Sequence, residues 1–502
     1  MLFDQRSSGT VVRRRMSTTA TSSTADKPIL LVVGASFGGL GCLHELASTK
    51  DNKYRIVVVD SRDWFSIGGT WQFVWTNRVP NLDYTRRSLH DVTIFNDNAA
   101  DIEWRLQTTV KEWNPQKKQV VLQKDQETET TIFTYDTMVL ACGAVPRPDS
   151  IPGLAEIVNI CNYNDVPRQK EQVQRLLEMA KGLDQKDHEK LTFCLAIGAC
   201  PYKCPPAPFE LTFLLEELLV QHGVRDRARL VITCPVAWPM PPAFEAAFRQ
   251  EYTKRGIEFW NLHELVRVQD ETDTNTTTLH FANGATLSNV AVVWATFPLT
   301  APEFVKSALP KENMSDSGFV RVADRVTHTL SNDKDSPLSK VHAIGDCCIV
   351  PVEGYKGLTV PKAGEFAWKM GQSAAQAILQ INKTVDRKAA CVAEMGNGRG
   401  LALVSNLSAY CAGTGSPEFC IEPSETGQAR KVAWVNHYHQ MIFGPQTPSL
   451  ELTPASLAEE AEKKDALESG KDLRDEKQKN EHALVDDTTP VSRKKQRTDA
   501  MP

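Results

Sequence analysis

Short apolar runs alternate with helix-like segments along most of the chain, and this alternation predicts an α/β protein. The apolar run 29–33 leads through a glycine-containing turn into an amphipathic stretch, and the next apolar run, 55–59, ends at Asp60. Farther along, strands are predicted at "TFCLAIG", "RLVITCP" and "VAVVWAT", with a helix at 211–220 after the first of them. Short buried strands separated by helices are typical of parallel sheets that are covered on both faces. We therefore expect two Rossmann-like, dinucleotide-binding units.

The turn after the first predicted strand has the composition of a dinucleotide-binding loop. Gly34, Gly38 and Gly39 lie between strand and helix, while Ser36 occupies the place of the usual central glycine. Glycine lets the backbone approach a pyrophosphate, helix amides stabilise that anion, and a carboxylate such as Asp60 accepts ribose hydroxyls. The pattern predicts a dinucleotide site, and the alternative is a tight turn that binds no ligand.

The corresponding turn of the second unit reads "GACPYKCPPAP", and Gly198 is all that remains of a glycine-rich loop. Pro201, Pro205 and Pro206 have no amide proton, so this turn cannot offer the row of donors that a pyrophosphate needs. We therefore do not expect a pyridine nucleotide to bind the second unit. Electrons must reach the cofactor of the first unit from another donor.

Two later segments resemble the sequence marks of the pyridine nucleotide–disulfide oxidoreductase superfamily. "YDTMVLACGAVPRP" (135–148) contains a turn similar to that family's A-T-G turn, with cysteine for threonine, and "VHAIGDCCIV" (341–350) contains a similar glycine–aspartate pair. The resemblance implies an α/β fold of the glutathione reductase type with a C-terminal extension, and FAD as the cofactor. FAD is expected to be non-covalent, because "SRDWFSIGGTW" lacks the cysteine that anchors it in some sulfide dehydrogenases.

The same resemblance implies which residues contact FAD and how the chain is divided. The expected FAD contacts are Gly34, Ser36, Gly38, Gly39, Asp60, Val110, Cys142, Gly143, Gly345, Asp346 and Lys362, with Asp346 on the ribityl chain. The expected segments are a leader or disordered stretch (1–27), the first part of the FAD domain (28–159), an inserted NAD(P)-like domain without a phosphate loop (160–316), the second part of the FAD domain (317–383), a C-terminal domain (384–448) and a charged tail (449–502).

Two cysteine-containing segments resemble those of flavocytochrome c sulfide dehydrogenase and related sulfide:quinone oxidoreductases. "KCPPAPFE" (203–210) is similar to the segment with the first redox cysteine, and "AACVAEMGNGRG" (389–400) to the segment with the second. The resemblance implies that Cys204 and Cys391 form a redox pair over one face of the flavin. In that chemistry HS⁻ attacks the disulfide and leaves a persulfide and a thiolate, and electrons pass to FAD. The alternative for Cys204 is a buried, inert thiol.

Charged residues in the same segments are candidates to assist this chemistry. A thiolate needs a nearby positive charge, which Lys203 or Lys362 would supply. Lys362 lies in "VPKAG", similar to a flavin-adjacent segment of the family, and its alternative is an ordinary surface lysine. Glu210 either relays protons or begins a helix.

Other thiols compete with the implied pair. Cys200 could pair locally with Cys204, whereas Cys42 in the first helix is expected to serve packing. Cys347 and Cys348 are adjacent, and adjacent cysteines seldom make an unstrained disulfide.

Quinone is the expected electron acceptor, because the chain has no haem-binding C-x-x-C-H. The segment 429–444 predicts either an interfacial helix at a membrane or a helix docked on the protein. Three rival functions stay open: a type II NADH:quinone oxidoreductase or apoptosis-inducing-factor-like flavoprotein, a flavin-stabilised interaction protein without enzymatic activity, and an oxidoreductase that uses glutathione persulfide or another thiol.

Composition narrows the function classes and the location. A net charge of −5 gives no broad basic surface, so nucleic acid is not an expected partner. No apolar run approaches the roughly 20 residues that span a bilayer, and 12 irregularly spaced cysteines in 502 residues do not form a secreted disulfide scaffold. Residues 1–27 contain four arginines and many Ser and Thr, which predicts a mitochondrial or plastid transit peptide or plain disorder. We expect a mitochondrial protein peripheral to a membrane, with a disordered tail over 449–502.

Overall fold

A computed structural model describes residues 27–49, 53–94, 102–183, 190–271, 275–352, 355–381, 385–411 and 415–453. The predicted transit segment (1–27) and charged tail (449–502) lie almost entirely outside the described residues. What the sequence indicates for these two segments stays a prediction.

The elements of the first third of the chain follow the predicted alternation. The strands are β1 Ile29–Val33, β2 Arg55–Val59, β3 Trp64–Ser66, β4 Arg86–Ser88, β5 Ile102–Arg105, β6 Thr108–Asn114, β7 Gln119–Lys124, β8 Thr130–Thr134, β9 Thr137–Leu140, β10 Val145–Pro146 and β11 Val158–Asn159. The helices are α1 Phe37–Ala47, α2 Gln72–Trp75 and α3 Val166–Gly182.

The remaining elements complete the two large sheets and include β22, β23 and β24, which form the sheet called the third sheet below. The strands are β12 Leu191–Ile197, β13 Ala228–Thr233, β14 Ile257–Trp260, β15 Leu265–Glu271, β16 Thr276–Phe281, β17 Thr286–Thr296, β18 Leu299–Thr300, β19 Val320–Arg321, β20 Val341–Ala343, β21 Cys348–Ile349, β22 Lys388–Gly396, β23 Arg399–Asn406 and β24 Glu418–Ser424. The helices are α4 Ala207–Gln221, α5 Glu245–Lys254, α6 Glu303–Lys306, α7 Gly364–Ile378, α8 Ser408–Cys411 and α9 Gly427–Phe443.

The first sheet is parallel and has the strand order β20-β9-β1-β2-β5. Its strands are continuous apolar runs, and four of the five residues of β1 are buried, as expected for a sheet covered on both faces. Helices α1 and α7 cross at two glycines: a Cβ on Gly41 would lie 2.5 Å from the Trp368 carbonyl oxygen, and one on Gly371 would lie 2.2 Å from that of Gly38. This close approach seats the start of α1 against the sheet.

The second sheet has the order β14-β13-β12-β17-β16-β15, and β11 also pairs with β17. Strands β11 to β14 and β17 are parallel, whereas β15 and β16 form an antiparallel extension. Helix α4 begins at Ala207, earlier than the predicted start at residue 211. Pro208 explains the difference, because proline is tolerated in the first helical turn, where an amide proton has no intrahelical partner. The α/β fold with two Rossmann-like units is confirmed.

The third sheet is antiparallel, with the order β22-β23-β24, and it contains Cys391 in β22 opposite Leu403. Helices α4 and α9 both pack against β22. The third sheet is thereby held against the start of α4, where Cys204 lies.

Helix α9, which was predicted to lie in a membrane interface or on the protein, is docked on the protein. Val435, Tyr438 and Ile442 are buried, and the Tyr438 ring packs edge-on against Phe37 with 5.2 Å between centroids. Among the described residues no helix combines the length and apolar composition needed to cross a membrane. Membrane contact stays a prediction.

Candidate active site

A nucleotide-binding turn offers its backbone amides to a phosphate. At the turn between β12 and α4 and in the first turn of α4, several of these amides instead donate hydrogen bonds to carbonyls of the protein. The Cys204 amide donates to the Lys362 carbonyl at 2.9 Å, and the Ala207 amide donates to the Cys204 carbonyl at 2.9 Å. The Glu210 amide donates to the Pro206 carbonyl at 3.0 Å. Cys204 has a φ of 55°, in the left-handed region that non-glycine residues rarely adopt. These bonds hold Cys204 in that conformation and tie it to the segment before α7.

Cys204 and Cys391 are brought together by this arrangement. Both thiols are free and partly exposed, and each is the largest influence on the acidity of the other. Interaction with Cys391 lowers the pKa of Cys204 against the opposing effect of burial, and interaction with Cys204, together with burial, raises the pKa of Cys391. Of the two sulfurs, Cys204 is therefore the one that carries the first thiolate.

A buried charge cluster lies beside the two thiols, and sequence reasoning missed most of it. The Lys431 ammonium group of α9 forms an ion pair with Glu210 and lies 3.4 Å from a carboxylate oxygen of Glu394. Glu210 also accepts a 2.8 Å hydrogen bond from the Gln72 amide group. Burial raises the pKa of Glu210 to about 7, although Lys431 opposes the shift. Burial disfavours the charged form of Lys431, but Glu210 and Glu394 outweigh it and raise the pKa of the ammonium group.

Arg78 extends this cluster between two elements. Its guanidinium group lies 2.8 Å from Glu217 on α4 and 3.2 Å from Glu394 on β22. The cluster then contains three carboxylates and two cations, all with low exposure. An excess of one carboxylate favours retention of one proton, in agreement with the raised pKa of Glu210.

The two lysines predicted to activate the thiols have other contacts. Lys203 lies 3.7 Å from a carboxylate oxygen of Asp346. Lys362 is 3% exposed, donates a hydrogen bond to the Cys348 carbonyl and lies 4.2 Å from the centre of the Phe319 ring. Lys431 is the cation that lowers the pKa of Cys204. It was missed because no motif surrounds it and its helix was judged by its apolar face.

A third thiol, Cys161, lies next to this site. It follows β11, whose carboxyl end meets the edge of the second sheet that also carries Cys204, and its thiol donates to the Lys203 carbonyl at 3.5 Å. Burial, with a further contribution from Cys204, raises the pKa of Cys161 to about 12. The only sequence signal was a cysteine just after a short apolar run.

The residues expected to contact FAD converge on one edge of the first sheet. Gly34 follows β1, Asp60 follows β2, the segment 142–143 follows β9, and the segment 345–346 follows β20. Because these strands are parallel neighbours, their carboxyl ends meet. The residues thus surround the start of α1, where a phosphate is stabilised by the helix amides.

Local geometry at this edge fits a dinucleotide. A Cβ on Gly34 would lie 2.3 Å from the Ala141 carbonyl oxygen, and one on Gly39 would lie 1.9 Å from that of Gly34, so both positions require glycine. Asp60 is 7% exposed and accepts hydrogen bonds from the amides of Ala35, at 2.6 Å, and Arg62, at 2.8 Å. These bonds orient the carboxylate toward the turn and leave it acceptor capacity for a ribose.

Three other residues predicted to contact FAD, Ser36, Cys142 and Val110, lie in different local environments. Ser36 is the residue before α1, and its hydroxyl makes no capping hydrogen bond to the helix. The Cys142 thiol influences the pKa of Cys347, whose own thiol donates to the carbonyls of Leu140, at 3.4 Å, and Ile344, at 3.3 Å. Val110 lies in β6, opposite Leu122, with its side chain in the core.

The family model described as pyridine nucleotide-disulphide oxidoreductase matches residues 29–376. The chain is 24% identical over 247 residues to a mitochondrial sulfide:quinone oxidoreductase of Dictyostelium discoideum, covering 48% of this chain and 50% of that protein. It is 23% identical over 252 residues to a type II NADH:quinone oxidoreductase of Staphylococcus epidermidis, covering 47% and 56%. The chain thus spans about half the length of these relatives.

Among solved structures, the fold is similar to the sulfide:quinone oxidoreductase of Aquifex aeolicus, with a TM-score of 0.67 and 15% identity over 84% of this chain and 93% of that one. FAD is the cofactor of these flavoproteins, and the sheet edge described above fits it. The match of the family model over residues 29–376 establishes that this chain belongs to the pyridine nucleotide-disulphide oxidoreductases.

Proposed function

We propose that the protein oxidises sulfide, or a persulfide, through Cys204 and Cys391 and passes the electrons through FAD to a quinone. The observation that carries this proposal is that the two free thiols, which come from the inserted unit and from the third sheet, interact closely enough to set each other's acidity. The Cys204 backbone is bonded to Lys362, and Lys203 is close to Asp346, so this thiol pair adjoins the FAD side of the molecule.

The acid–base properties of the pair give the proposed reaction a direction. HS⁻ attacks the Cys391 sulfur of the disulfide, a sulfur–sulfur bond forms there, and Cys204 leaves as the thiolate. Cys204 is the better leaving group because its pKa is the lower of the two. Lys431 stabilises the thiolate, and the Glu210 carboxylate accepts the persulfide proton.

The disulfide is itself the oxidant in this step. After the outer persulfide sulfur has passed to an acceptor nucleophile, FAD, when bound, would take the two electrons released as Cys204 and Cys391 re-form the disulfide. The residues of this chain hold the Cys204 thiolate next to the expected FAD site and stabilise its negative charge. The buried cluster keeps the cation within the pocket, because Lys431 is paired with carboxylates from α4 and β22.

The second candidate is oxidation of NADH, the activity in the name of the Staphylococcus epidermidis relative. The turn before α4 speaks against it in this chain. The amides of Cys204 and Ala207 are bonded to backbone carbonyls, and three prolines in the turn have no amide proton. A pyrophosphate would therefore find few donors there.

An anaerobic titration of the FAD-loaded protein with sulfide, followed by the flavin absorbance, tests the proposal. We expect a long-wavelength charge-transfer band and then bleaching in the native protein, and loss of both in Cys204→Ser and in Cys391→Ser. Cys420→Ser is the control, because Cys420 is an exposed cysteine on β24. A parallel addition of NADH should leave the flavin oxidised.

Rapid bleaching by NADH in both cysteine variants would overturn the proposal in favour of the second candidate. A flavin that stays oxidised with sulfide, persulfide and NADH would point to an interaction protein. Titration with glutathione persulfide beside sulfide distinguishes the two sulfur substrates by their relative rates.

The acceptor and the location form part of the same proposal. A short-chain quinone should reoxidise the reduced protein faster than cytochrome c does. We propose that the enzyme works at a mitochondrial membrane surface, and cell fractionation of the full chain tests this location.

A further inference from the structure

A second pair of thiols lies at the carboxyl edge of the inserted sheet. Cys200 follows β12 and Cys234 follows β13, and because these strands are adjacent and parallel, both residues lie at the same edge. Each of the two free thiols is the largest influence on the acidity of the other, so they interact across this edge. The sequence allowed a local pair of Cys200 with Cys204, whereas in the structure Cys200 interacts with the cysteine after the neighbouring strand.

The two sulfurs differ in accessibility. Cys200 is exposed, whereas Cys234 is 0% exposed. The backbone of Cys234 is anchored on both sides, because its amide donates to the Trp260 carbonyl at 3.0 Å and its carbonyl accepts from the His263 amide at 2.8 Å. A reagent in solution therefore meets Cys200 first, while Cys234 stays in a fixed position behind it.

The two sulfurs also differ in acidity. Interaction with Cys200, together with a hydrogen bond from the Val236 amide, lowers the pKa of Cys234 against burial. Interaction with Cys234 and burial raise the pKa of Cys200. In a disulfide the sulfur with the lower thiol pKa leaves faster. Attack by a thiolate on the exposed Cys200 sulfur of the disulfide would thus expel Cys234, the better leaving group. Access and acidity therefore both favour reduction by attack at Cys200.

We propose that Cys200 and Cys234 form a second dithiol–disulfide couple, which exchanges with small aliphatic thiols and disulfides in solution. In the oxidation, the Cys200 thiolate attacks a disulfide R–S–S–R, giving a mixed disulfide and one RS⁻. Cys234 then attacks the Cys200 sulfur, which forms the internal disulfide and releases the second RS⁻. The protein loses two electrons and two protons, and the small disulfide gains them as two thiols. Reduction is the reverse, with a thiolate attacking Cys200.

This couple is separate from the Cys204–Cys391 pair. Tyr202, which lies between Cys200 and Cys204 along the chain, is 2% exposed, and its hydroxyl donates to the Pro205 carbonyl at 2.7 Å. The proposal therefore does not depend on sulfide as the substrate of the enzyme.

The test equilibrates the full, FAD-loaded protein with mixtures of reduced and oxidised glutathione, without sulfide and without oxygen. After acid quenching and alkylation, trypsin separates Cys200 from Cys204 at Lys203 and from the Cys234 peptide that follows Arg229. Cys194 stays on the same peptide as Cys200, so fragmentation of the linked peptide assigns the bonded cysteine. We expect a cross-linked Cys200–Cys234 peptide that grows with the share of oxidised glutathione and disappears on reduction.

Variants separate the couple from general thiol reactivity. Cys234→Ser should lose the cross-linked peptide and accumulate glutathione on Cys200, whereas Cys200→Ser should leave Cys234 unmodified. Cys420→Ser should behave as the native protein, since it removes an exposed cysteine on another sheet. Bound FAD per chain checks that each variant is folded.

A Cys200 that is linked to Cys204, or that stays alkylatable in oxidised glutathione, would overturn the proposal. The readout is a peptide rather than flavin reduction, so it is independent of the proposed function. Cys200→Ser should also retain bleaching of the flavin by sulfide, which keeps the two proposals apart.

Discussion

Lys431 Nζ lies 3.4 Å from Glu394 Oε1 while it is also ion-paired with Glu210, so one buried ammonium group joins carboxylates from β22 and α4. Lys431 also lowers the pKa of Cys204. The cation that stabilises the proposed thiolate is thus held by residues of three elements that meet at the two cysteines. A buried pair of this kind contributes little net stability, but the removal of one partner leaves an uncompensated charge.

Replacing Lys431 by methionine should raise the pKa of Cys204. The positive charge that favours the thiolate disappears, while the carboxylate of Glu210 stays. We expect alkylation of Cys204 by iodoacetamide at pH 7 to slow several-fold, measured by quantitative peptide mapping. Because two buried carboxylates lose their cation, the free energy of unfolding should also fall by roughly 3–5 kcal/mol.

Lys203→Met is the matched control for this prediction. Lys203 precedes Cys204 in the chain, but it lies near Asp346 and is about half exposed, with 46% of its side chain accessible. The alkylation rate of Cys204 should change little in this variant. A larger decrease of the alkylation rate in Lys203→Met than in Lys431→Met would show that Lys203, and not Lys431, supplies the positive charge that stabilises the Cys204 thiolate.

Glu210→Gln should change the acidity of Cys204 in the opposite direction. The Glu210 carboxylate raises the pKa of Cys204, and its own pKa is about 7 because of burial. Below about pH 7 Glu210 is protonated and its effect on the thiolate is absent; above that value it ionises and disfavours the thiolate. The native alkylation profile should therefore rise in two steps, and the variant profile in one step at lower pH.

The control for this profile is Glu45→Gln. Glu45 is a buried glutamate on α1 that is hydrogen-bonded to Gln376, outside the charge cluster. The pH profile of Cys204 alkylation in Glu45→Gln should retain both steps. A single-step profile in the native protein would contradict the assignment of Glu210 as a group that titrates beside Cys204.

Arg78→Met should weaken the attachment of α4 to the third sheet. Arg78 bridges Glu217 and Glu394, whose side chains are 5% and 1% exposed. Loss of this cation should lower the free energy of unfolding by roughly 3–5 kcal/mol, measured by urea denaturation. Arg249→Met is the control: its ion pair with Glu245 is exposed, within one helix, and worth about 0.3–0.5 kcal/mol. Equal losses in the two variants would contradict the bridging role.

The sequence predicted those features that depend on local pattern. The apolar runs at 29–33 and 191–197 match β1 and β12, since continuous burial leaves a continuous apolar signal. Helix α4 starts earlier than predicted, at Ala207, because the first helical turn tolerates Pro208. Local pattern therefore identified the strands better than the ends of the helices.

The site was predicted only where a motif surrounded its residues. Cys204 and Cys391 could be singled out by resemblance, but Lys431 and Arg78 could not, because they meet their carboxylates only in the folded chain. The pairing of Cys200 with Cys234 was missed for the same reason, since it follows from the neighbouring register of β12 and β13. Strand order decides such contacts, and spacing along one sequence does not reveal it.

The contact of Gly34 with the Ala141 carbonyl gives a prediction about the cofactor. In Gly34→Ala the new Cβ would lie 2.3 Å from that oxygen, at a φ of +106°, so the turn between β1 and α1 must move. We expect the purified variant to contain much less FAD per chain, measured by flavin absorbance, because the shifted turn also displaces Ala35 from Asp60. Gly284→Ala is the matched control, since Gly284 has a φ of +85° and open space around it. It carries the backbone strain, about 1 kcal/mol, without the clash and should retain FAD. If both variants lost FAD equally, backbone strain alone would explain the loss, and the close packing of this turn would not matter for the cofactor.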